Sequence, residues 1–218
     1  MSKRTPVALV TGFDPFGGEP VNPSQQIAVA LHGQTIAAHR VVGAVLPTEF
    51  GASLSALQPL LRRHRPALVL ALGQAGGREG ISLERVAINL IDARIPDNTG
   101  SQPVDVRIVD KAANAYFSTL PIKAILQRLH AANIPAALSQ SAGTFVCNQV
   151  FFGLQHALRR RRGVRGGFVH VPYLPEQAAR HTGAPGMPLE TMITAIRLCL
   201  EVALTTTSDA HYAAGALD

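Results

Sequence analysis

The sequence predicts an α/β fold: a single three-layer α/β/α sandwich around a mostly parallel, twisted sheet. Short apolar runs that end at glycine are typical of strands buried on both faces. Segments with helical periodicity separate these runs, and this alternation favours a parallel sheet covered by helices. No internal repeat or long linker divides the 218 residues, of which 47% are hydrophobic. A single domain is therefore expected over residues 1–204.

Four runs are the predicted strands. The first two, 7–12 (VALVTG) and 66–73 (PALVLALG), are short and apolar and end at glycine. The third, 85–93 (RVAINLIDA), alternates apolar and polar residues. The fourth, 167–173 (GFVHVPY), is apolar except for one histidine. These runs supply the predicted sheet.

Five segments have the apolar spacing of amphipathic helices. The first starts with a capping residue at Ser24 and stops at Gly33, and the second contains Pro59, which should lie at a kink or boundary. The tail 205–218 lacks a period and is expected to fray. The apolar positions that define the helices are Ile27 and Leu31; Leu54, Leu57, Leu60 and Leu61; Ile122, Ile125, Leu126 and Leu129; Val150, Phe151, Leu154, Ala157 and Leu158; and Leu189, Met192, Ile193, Ile196, Leu200 and Ala203.

The basic charge of the chain raises nucleic acid as a partner. The net charge is +6, and the densest cluster is Arg159 to Arg162, at the end of a predicted helix. Cations at that position complement the helix dipole and are solvated. No aromatic residue interleaves with the arginines, so a solvated surface is favoured over a nucleic-acid-binding module, which stays the alternative.

Membrane insertion and secretion are not indicated by the sequence. No apolar run is long enough to cross a bilayer, and the N-terminal VALV is too short for the apolar region of a signal peptide. The two cysteines lie in regular segments and do not suggest a disulfide framework. A cytoplasmic location is therefore expected. No Cys/His cluster has metal-ligand spacing, so no metal site is expected.

Two glycine-rich stretches could shape a pocket. The stretches 11–24 (TGFDPFGGEPVNPS) and 73–80 (GQAGGREG) lack the Lys-Ser/Thr pair of a phosphate-binding loop. As loops defined by their backbone they suit a small-molecule pocket, for which Phe13 and Phe16 offer apolar walls.

Cys147 is the candidate nucleophile. It follows a glycine-containing turn and opens a helix, where free backbone N–H groups and the helix dipole should lower the thiol pKa. The same N–H groups could stabilise an oxyanion. Taken alone, Cys147 is more simply a buried structural cysteine. Cys199, inside the last amphipathic helix, is interpreted as structural.

A cysteine nucleophile needs a base and a group that orients the base. His170 interrupts an otherwise apolar strand, and a right-handed crossover through the helix of Cys147 could place it beside the preceding strand, near the thiol. Glu84, flanked by apolar residues, is the first candidate for the orienting group. Asp92 and Asp97 are competing candidates.

Four stretches together resemble one known family. TGFDPFGGEPVNPS (11–24), GQAGGREGISLERVAINLIDARIPDN (73–98), SAGTFVCNQVFF (141–152) and GFVHVPYLPEQ (167–177) closely resemble, in order and spacing, the pyrrolidone-carboxylate peptidases, or pyroglutamyl peptidases of type I. Leu83 stands where many relatives are expected to have proline, and the loop 181–190 also departs from the pattern. Neither departure touches a candidate catalytic position.

The resemblance implies a cytoplasmic cysteine peptidase that removes N-terminal pyroglutamate from peptides without a cofactor and commonly assembles as a tetramer. It implies Cys147 as nucleophile, His170 as general base and then acid, and Glu84 as the group that orients His170. A catalytically silent scaffold is a further alternative, which these three residues argue against. The implied pocket consists of Phe13, Phe16, Thr48, Ile95, Phe145 and Val146, with Asn22, Gln74 and Arg94 as polar members.

Overall fold

The computed structural model describes residues 5–215, which form nine strands and six helices. The strands are β1 (Val7–Phe13), β2 (Thr35–Ile36), β3 (His39–Leu46), β4 (Leu68–Gln74), β5 (Ile81–Glu84), β6 (Val86–Ile88), β7 (Ala115–Phe117), β8 (Ala136–Ser139) and β9 (Arg165–Val171). The helices are α1 (Pro23–Leu31), α2 (Ala52–His64), α3 (Ile122–Ala131), α4 (Val146–Leu158), α5 (Pro175–Ala178) and α6 (Leu189–Thr205).

Seven strands form one mixed, mostly parallel sheet in the order β2-β3-β1-β4-β9-β5-β8. Strands β3, β1, β4 and β9 are parallel neighbours. Strand β5 runs antiparallel to β9 and parallel to β8, and β2 runs antiparallel to β3. The carboxyl ends of β4 and β9 therefore lie side by side near the middle of the sheet.

Helices cover both faces of this sheet, as predicted. On β1, Ala8 and Val10 contribute to the core shared with α1, α3 and α6. Leu9 and Phe13 contribute to the core shared with α2 and α4. Successive strand residues point to opposite faces, so a continuous apolar run fills two cores at once. The three-layer α/β/α prediction is confirmed.

All five predicted helices and three of the four predicted strands are present, with small shifts at their ends. Pro59 lies inside α2, which continues to His64, and does not mark a boundary. Strands β2, β3, β5, β7 and β8 and the short helix α5 were not predicted.

The predicted strand 85–93 is wrong in extent and partner. Only β6 is extended, and it pairs with β7 outside the main sheet, which β5 joins instead. The side chain of Asn148 on α4 accepts from Ile88 N and donates to Ile88 O and Leu90 O. These side-chain hydrogen bonds satisfy backbone N–H and C=O groups that a neighbouring strand would otherwise pair.

The route predicted between Cys147 and His170 is also wrong. Strand β8 precedes α4, but β5 lies between β8 and β9 and runs antiparallel to β9. The connection is therefore not a crossover between adjacent parallel strands. Proximity of the two residues arises instead because α4 begins at the end of the sheet where β9 finishes.

The tail that was predicted to fray makes contacts with α3 in its described part. Helix α6 extends to Thr205, and Asp209 then accepts hydrogen bonds from the N–H groups of Lys123 and Ala124 at the start of α3. Tyr212 donates its hydroxyl to Lys123 O, and the Lys123 ammonium lies over the Tyr212 ring. Residues 216–218 of the tail lie outside the described residues.

Within residues 5–215, no helix is both long enough and apolar enough to cross a membrane.

Candidate active site

A cavity of about 400 Å³ opens where β4 and β9 end and α4 begins. This volume suits a small ligand. An adjacent depression shares Arg78 with the cavity but includes neither Cys147 nor His170. The residues that line the cavity are Phe16, Gln74, Ala75, Arg78, Asp92, Arg94, Ile95, Ala142, Gly143, Thr144, Phe145, Cys147 and His170.

Cys147 lies in the first turn of α4 and is half-buried. The N-cap residue, Phe145, makes no side-chain hydrogen bond to the helix. The N–H groups of the first turn, which have no acceptor within a helix, therefore point toward the cavity end of α4. The thiol also packs closely on the sheet, since a Cβ built on Gly73 would lie 2.8 Å from Cys147 Sγ.

The thiol is protonated in the resting protein. Burial, and then the negative charge of Glu84, raises the pKa of Cys147 to about 12. Arg78 and the Cys147 N–H act in the opposite direction but do not offset these effects. The expectation of a lowered thiol pKa is therefore wrong. A thiolate requires an acceptor for the proton at the moment of reaction.

His170, which is 4% exposed near the end of β9, provides such an acceptor. Its Nδ1 lies 2.8 Å from Glu84 Oε1. A carboxylate can only accept a hydrogen bond, so the neutral ring carries its proton on Nδ1. Nε2 is left with its lone pair free for a proton from the cavity.

Glu84 is fully buried at the end of β5. Burial alone would raise the pKa of Glu84, but the hydrogen bond and charge of His170, the Ser139 hydroxyl and the charge of Arg78 hold it below its ordinary value. Arg78 Nη1 donates to the same oxygen at 2.7 Å. Glu84 is therefore an ionised carboxylate shared between an imidazole and a guanidinium.

The competing carboxylates have other partners. Asp97 accepts hydrogen bonds from the N–H groups of Phe50, Thr99 and Ser101, and so organises the loop around it. Asp92 is exposed at the cavity rim. Among the described residues, only Glu84 forms a carboxylate hydrogen bond to His170.

Five of the nine predicted pocket residues line the cavity: Phe16, Gln74, Arg94, Ile95 and Phe145. The rings of Phe16 and Phe145 have centroids 6.1 Å apart, and Phe50 packs edge-on against Phe145 at 5.2 Å. The cavity therefore has an aromatic wall with a few polar groups around it.

The other four predicted pocket residues are buried outside the cavity lining. Phe13 packs on Phe168 in the core, with ring centroids 6.4 Å apart, and Val146 is fully buried. Asn22 caps α1 and donates to Asp14 O. Thr48 donates its hydroxyl to the same carbonyl oxygen. Asn22 and Thr48 thus support the loop that carries Phe16.

Two residues that hold the site together were not singled out from the sequence. Arg78 lies in the glycine-rich stretch 73–80 and donates to Glu84. A charged residue that closely follows a predicted buried strand could have drawn attention to this position. Gln177 is fully buried on α5 and donates to Gln74 Oε1 at 3.0 Å. No pattern in the sequence distinguishes Gln177 from a surface glutamine.

A family model described as pyroglutamyl peptidase matches residues 7–206. The chain belongs to the pyroglutamyl peptidase family. It is 52% identical over 214 residues to the pyrrolidone-carboxylate peptidase of Cupriavidus taiwanensis, covering 97% of this chain and 99% of that relative. Members of this family are cysteine peptidases, so the chain is a hydrolase that acts on peptide bonds.

Solved structures of pyroglutamyl peptidases have the same fold. Pyroglutamyl peptidase I from Bacillus amyloliquefaciens superposes with a TM-score of 0.93 at 42% identity, covering 96% of this chain and all of that one. A mutant pyrrolidone carboxyl peptidase from Pyrococcus furiosus superposes with a TM-score of 0.89 at 43% identity, covering 92% and 99%. The resemblance read from the four motifs is confirmed.

Proposed function

We propose that this chain removes N-terminal pyroglutamyl residues from peptides, with Cys147 as nucleophile. The observation that carries the proposal is the hydrogen bond from His170 Nδ1 to buried Glu84, in a cavity that also contains the Cys147 thiol. A thiol, a base with a free nitrogen and a group that fixes the base are what nucleophilic catalysis by cysteine requires.

Acylation begins with proton transfer from Cys147 Sγ to His170 Nε2, because the resting thiol is protonated. The sulfur forms a bond to the carbonyl carbon of the pyroglutamyl residue, and the carbonyl oxygen becomes an oxyanion. Free N–H groups in the first turn of α4 stabilise that charge. The imidazolium then gives its proton to the leaving nitrogen, the C–N bond breaks, and a thioester remains on Cys147.

Deacylation uses the same groups in the same roles. His170 Nε2 accepts a proton from water while the water oxygen attacks the thioester carbonyl. The C–S bond breaks, and the proton returns to the sulfur as free pyroglutamate leaves. Glu84 holds the ring orientation throughout and stabilises the positive imidazolium in both steps.

The cavity has the chemistry needed for a neutral lactam. Pyroglutamate is a flat ring with no free amine, and Phe16 and Phe145 present apolar surface to such a ring. The volume admits the ring while the peptide extends outward. Among the described residues that line the cavity, Asp92 is the only carboxylate, and it is exposed at the rim. A free terminal ammonium would therefore meet no buried carboxylate in the cavity lining.

Hydrolysis of a fluorogenic pyroglutamyl amide in reducing buffer tests the proposal. We expect release of the fluorophore, loss of this activity in Cys147→Ser, and no release from the corresponding alanyl amide. A purified, folded protein that leaves the pyroglutamyl amide intact would rule the proposal out.

The tetrameric assembly and cytoplasmic location implied by the family resemblance stay predictions. Arg159 to Arg162 are exposed at the far end of α4 from Cys147, about 18 Å away for a helix of this length. Nothing in this region favours a second function.

A further inference from the structure

The orientation of the Gln74 amide in the cavity is fixed by a chain of buried hydrogen bonds, here called the relay. It runs from the backbone N–H of Leu174 through Gln177 to Gln74. Gln74 is the last residue of β4, lies 7% exposed, and lines the cavity. A glutamine amide has an accepting end and a donating end, and either could in principle face a ligand. The neighbours of Gln177 decide which end does.

The backbone N–H of Leu174 donates to Gln177 Oε1 at 3.1 Å. An N–H can only donate, so this end of Gln177 must be its oxygen. Its nitrogen, Nε2, then lies 3.1 Å from Val21 O and 3.1 Å from Glu19 Oε2, both of which only accept. Each of these three contacts independently assigns the same orientation to Gln177.

The assignment passes on to Gln74. Gln177 Nε2 also lies 3.0 Å from the end of the Gln74 amide. An amide nitrogen cannot accept a hydrogen bond, so this end of Gln74 is its oxygen, and the two hydrogens of Gln177 Nε2 are shared among three acceptors. Gln177 is fully buried, so no water competes for this contact. Among residues 5–215, no hydrogen bond involves Gln74 Nε2. The two N–H bonds of Gln74 are therefore the ones available to a ligand in the cavity.

Glu19 accepts a hydrogen bond from Gln177 Nε2 and so helps to fix the orientation of the Gln177 amide. It also accepts from Arg180 and His181 at 2.7 Å each. Burial would raise the pKa of Glu19, but the hydrogen bonds from His181 and Gln177, together with the nearby charges, lower it. The carboxylate stays ionised and cannot donate back to Gln177.

We propose that Gln177 is a positioning residue that locks the Gln74 amide with its N–H groups toward the cavity, where they donate to the ring carbonyl of a lactam. This inference rests on the proposed function for its ligand and names the determinant of specificity within it. A prolyl ring has the same number of ring atoms but no ring carbonyl, so it would leave the Gln74 donors unpaired. Sites built to bond a polar group reject the analogue that lacks it.

The test measures lactam binding without turnover. Pyrrolidin-2-one is used to protect Cys147 from alkylation by iodoacetamide, and the half-protecting concentration is read by mass spectrometry. In Gln177→Glu, measured above the pH at which residue 177 ionises beside Glu19, the relay has no donor, so Gln74 turns its nitrogen toward residue 177 and its oxygen toward the lactam. We expect the half-protecting concentration to rise about thirtyfold, since two acceptors then face each other. Gln177→Met, which only releases Gln74, should raise it about threefold.

Two further variants separate positioning from structural support. Arg180→Met removes the ion pair between Arg180 and Glu19 but leaves Gln177 bonded to Gln74. In this variant, pyrrolidin-2-one should protect Cys147 as well as it does in the wild type. In a Gln74→Met background, Gln177→Glu should cause no additional loss, because no amide remains to be oriented. Additive losses, or unchanged protection in both Gln177 variants, would overturn the inference. Normal protection in a wild type that fails to cleave the pyroglutamyl amide would sink the proposed function alone.

Discussion

Helices α4 and α6 each carry one of the two cysteines, and the two thiols have the same pKa for the same main reason. Burial raises the pKa of both Cys147 and Cys199 to about 12. They differ in their neighbours. Cys199 lies inside α6, fully buried among apolar side chains. Cys147 lies in the first turn of α4, on a cavity it shares with His170. The proposed nucleophile is distinguished by the proton acceptor beside it, and not by an acidic thiol.

Substitution of each cysteine tests this contrast most directly. Cys147→Ser should lower kcat by more than about 10⁴-fold, because the hydroxyl is a far weaker nucleophile in the same geometry. Cys199→Ala should leave kcat within about twofold and lower the thermal midpoint, because it opens a small cavity in the core. Steady-state kinetics and thermal melting of both variants supply the measurement. Comparable kinetic losses in the two would remove the distinction.

The carboxylate behind the base is the next test. Glu84→Gln should lower kcat about 10³- to 10⁴-fold, because a neutral amide can hold His170 in the wrong tautomer and cannot stabilise its protonated form. Asp97→Asn is the matched control, a buried carboxylate that accepts backbone N–H groups away from His170. It should lower thermal stability more than kcat. The assignment of Glu84 fails if Asp97→Asn causes the larger kinetic loss.

Crowding of the thiol gives a third, smaller effect. A Cβ at Gly73 would lie 2.8 Å from Cys147 Sγ and 2.9 Å from the Phe168 ring. Gly73→Ala should displace the sulfur and lower kcat about a hundredfold. Gly153→Ala, whose Cβ would meet Leu54 Cδ2 at 2.4 Å, crowds α4 without touching the thiol. Both variants should melt earlier, but only Gly73→Ala should slow the alkylation of Cys147.

The pH dependence of alkylation gives the finest test. In His170→Ala, Cys147 has lost its acceptor and reacts only through its own thiolate. With a thiol pKa of about 12, the thiolate fraction should rise tenfold for each unit of pH between about pH 7 and pH 10. A plateau of the alkylation rate near pH 8.5, the ordinary thiol value, would contradict the raised pKa.

The sequence predicts the helices, most of the central strands and the candidates Cys147 and His170 because each leaves a local mark. Helical spacing, glycine-terminated apolar runs and a histidine within a strand can all be read in short windows. The strand predicted at 85–93 shows the limit of such windows. Alternation there is real, but whether a strand joins the main sheet depends on distant partners such as Asn148.

Contacts between distant residues explain what the sequence leaves out. The choice of Glu84 over Asp97 depends on the antiparallel pairing of β5 with β9, which no local pattern encodes. Gln177 has a role only because α5 brings it against the end of β4. The docking of Asp209 on α3 likewise joins segments 85 residues apart.

The place of β9 between β4 and β5 also has a consequence for biosynthesis. A nascent chain emerges from the ribosome with β4 and β5 long before β9, which starts at residue 165 of 218. Until β9 inserts, those two strands have no shared neighbour, and Glu84 has no imidazole to orient. Strand and histidine arrive together. Under the proposed mechanism, the Cys147 thiol therefore has no base until β9 completes the sheet.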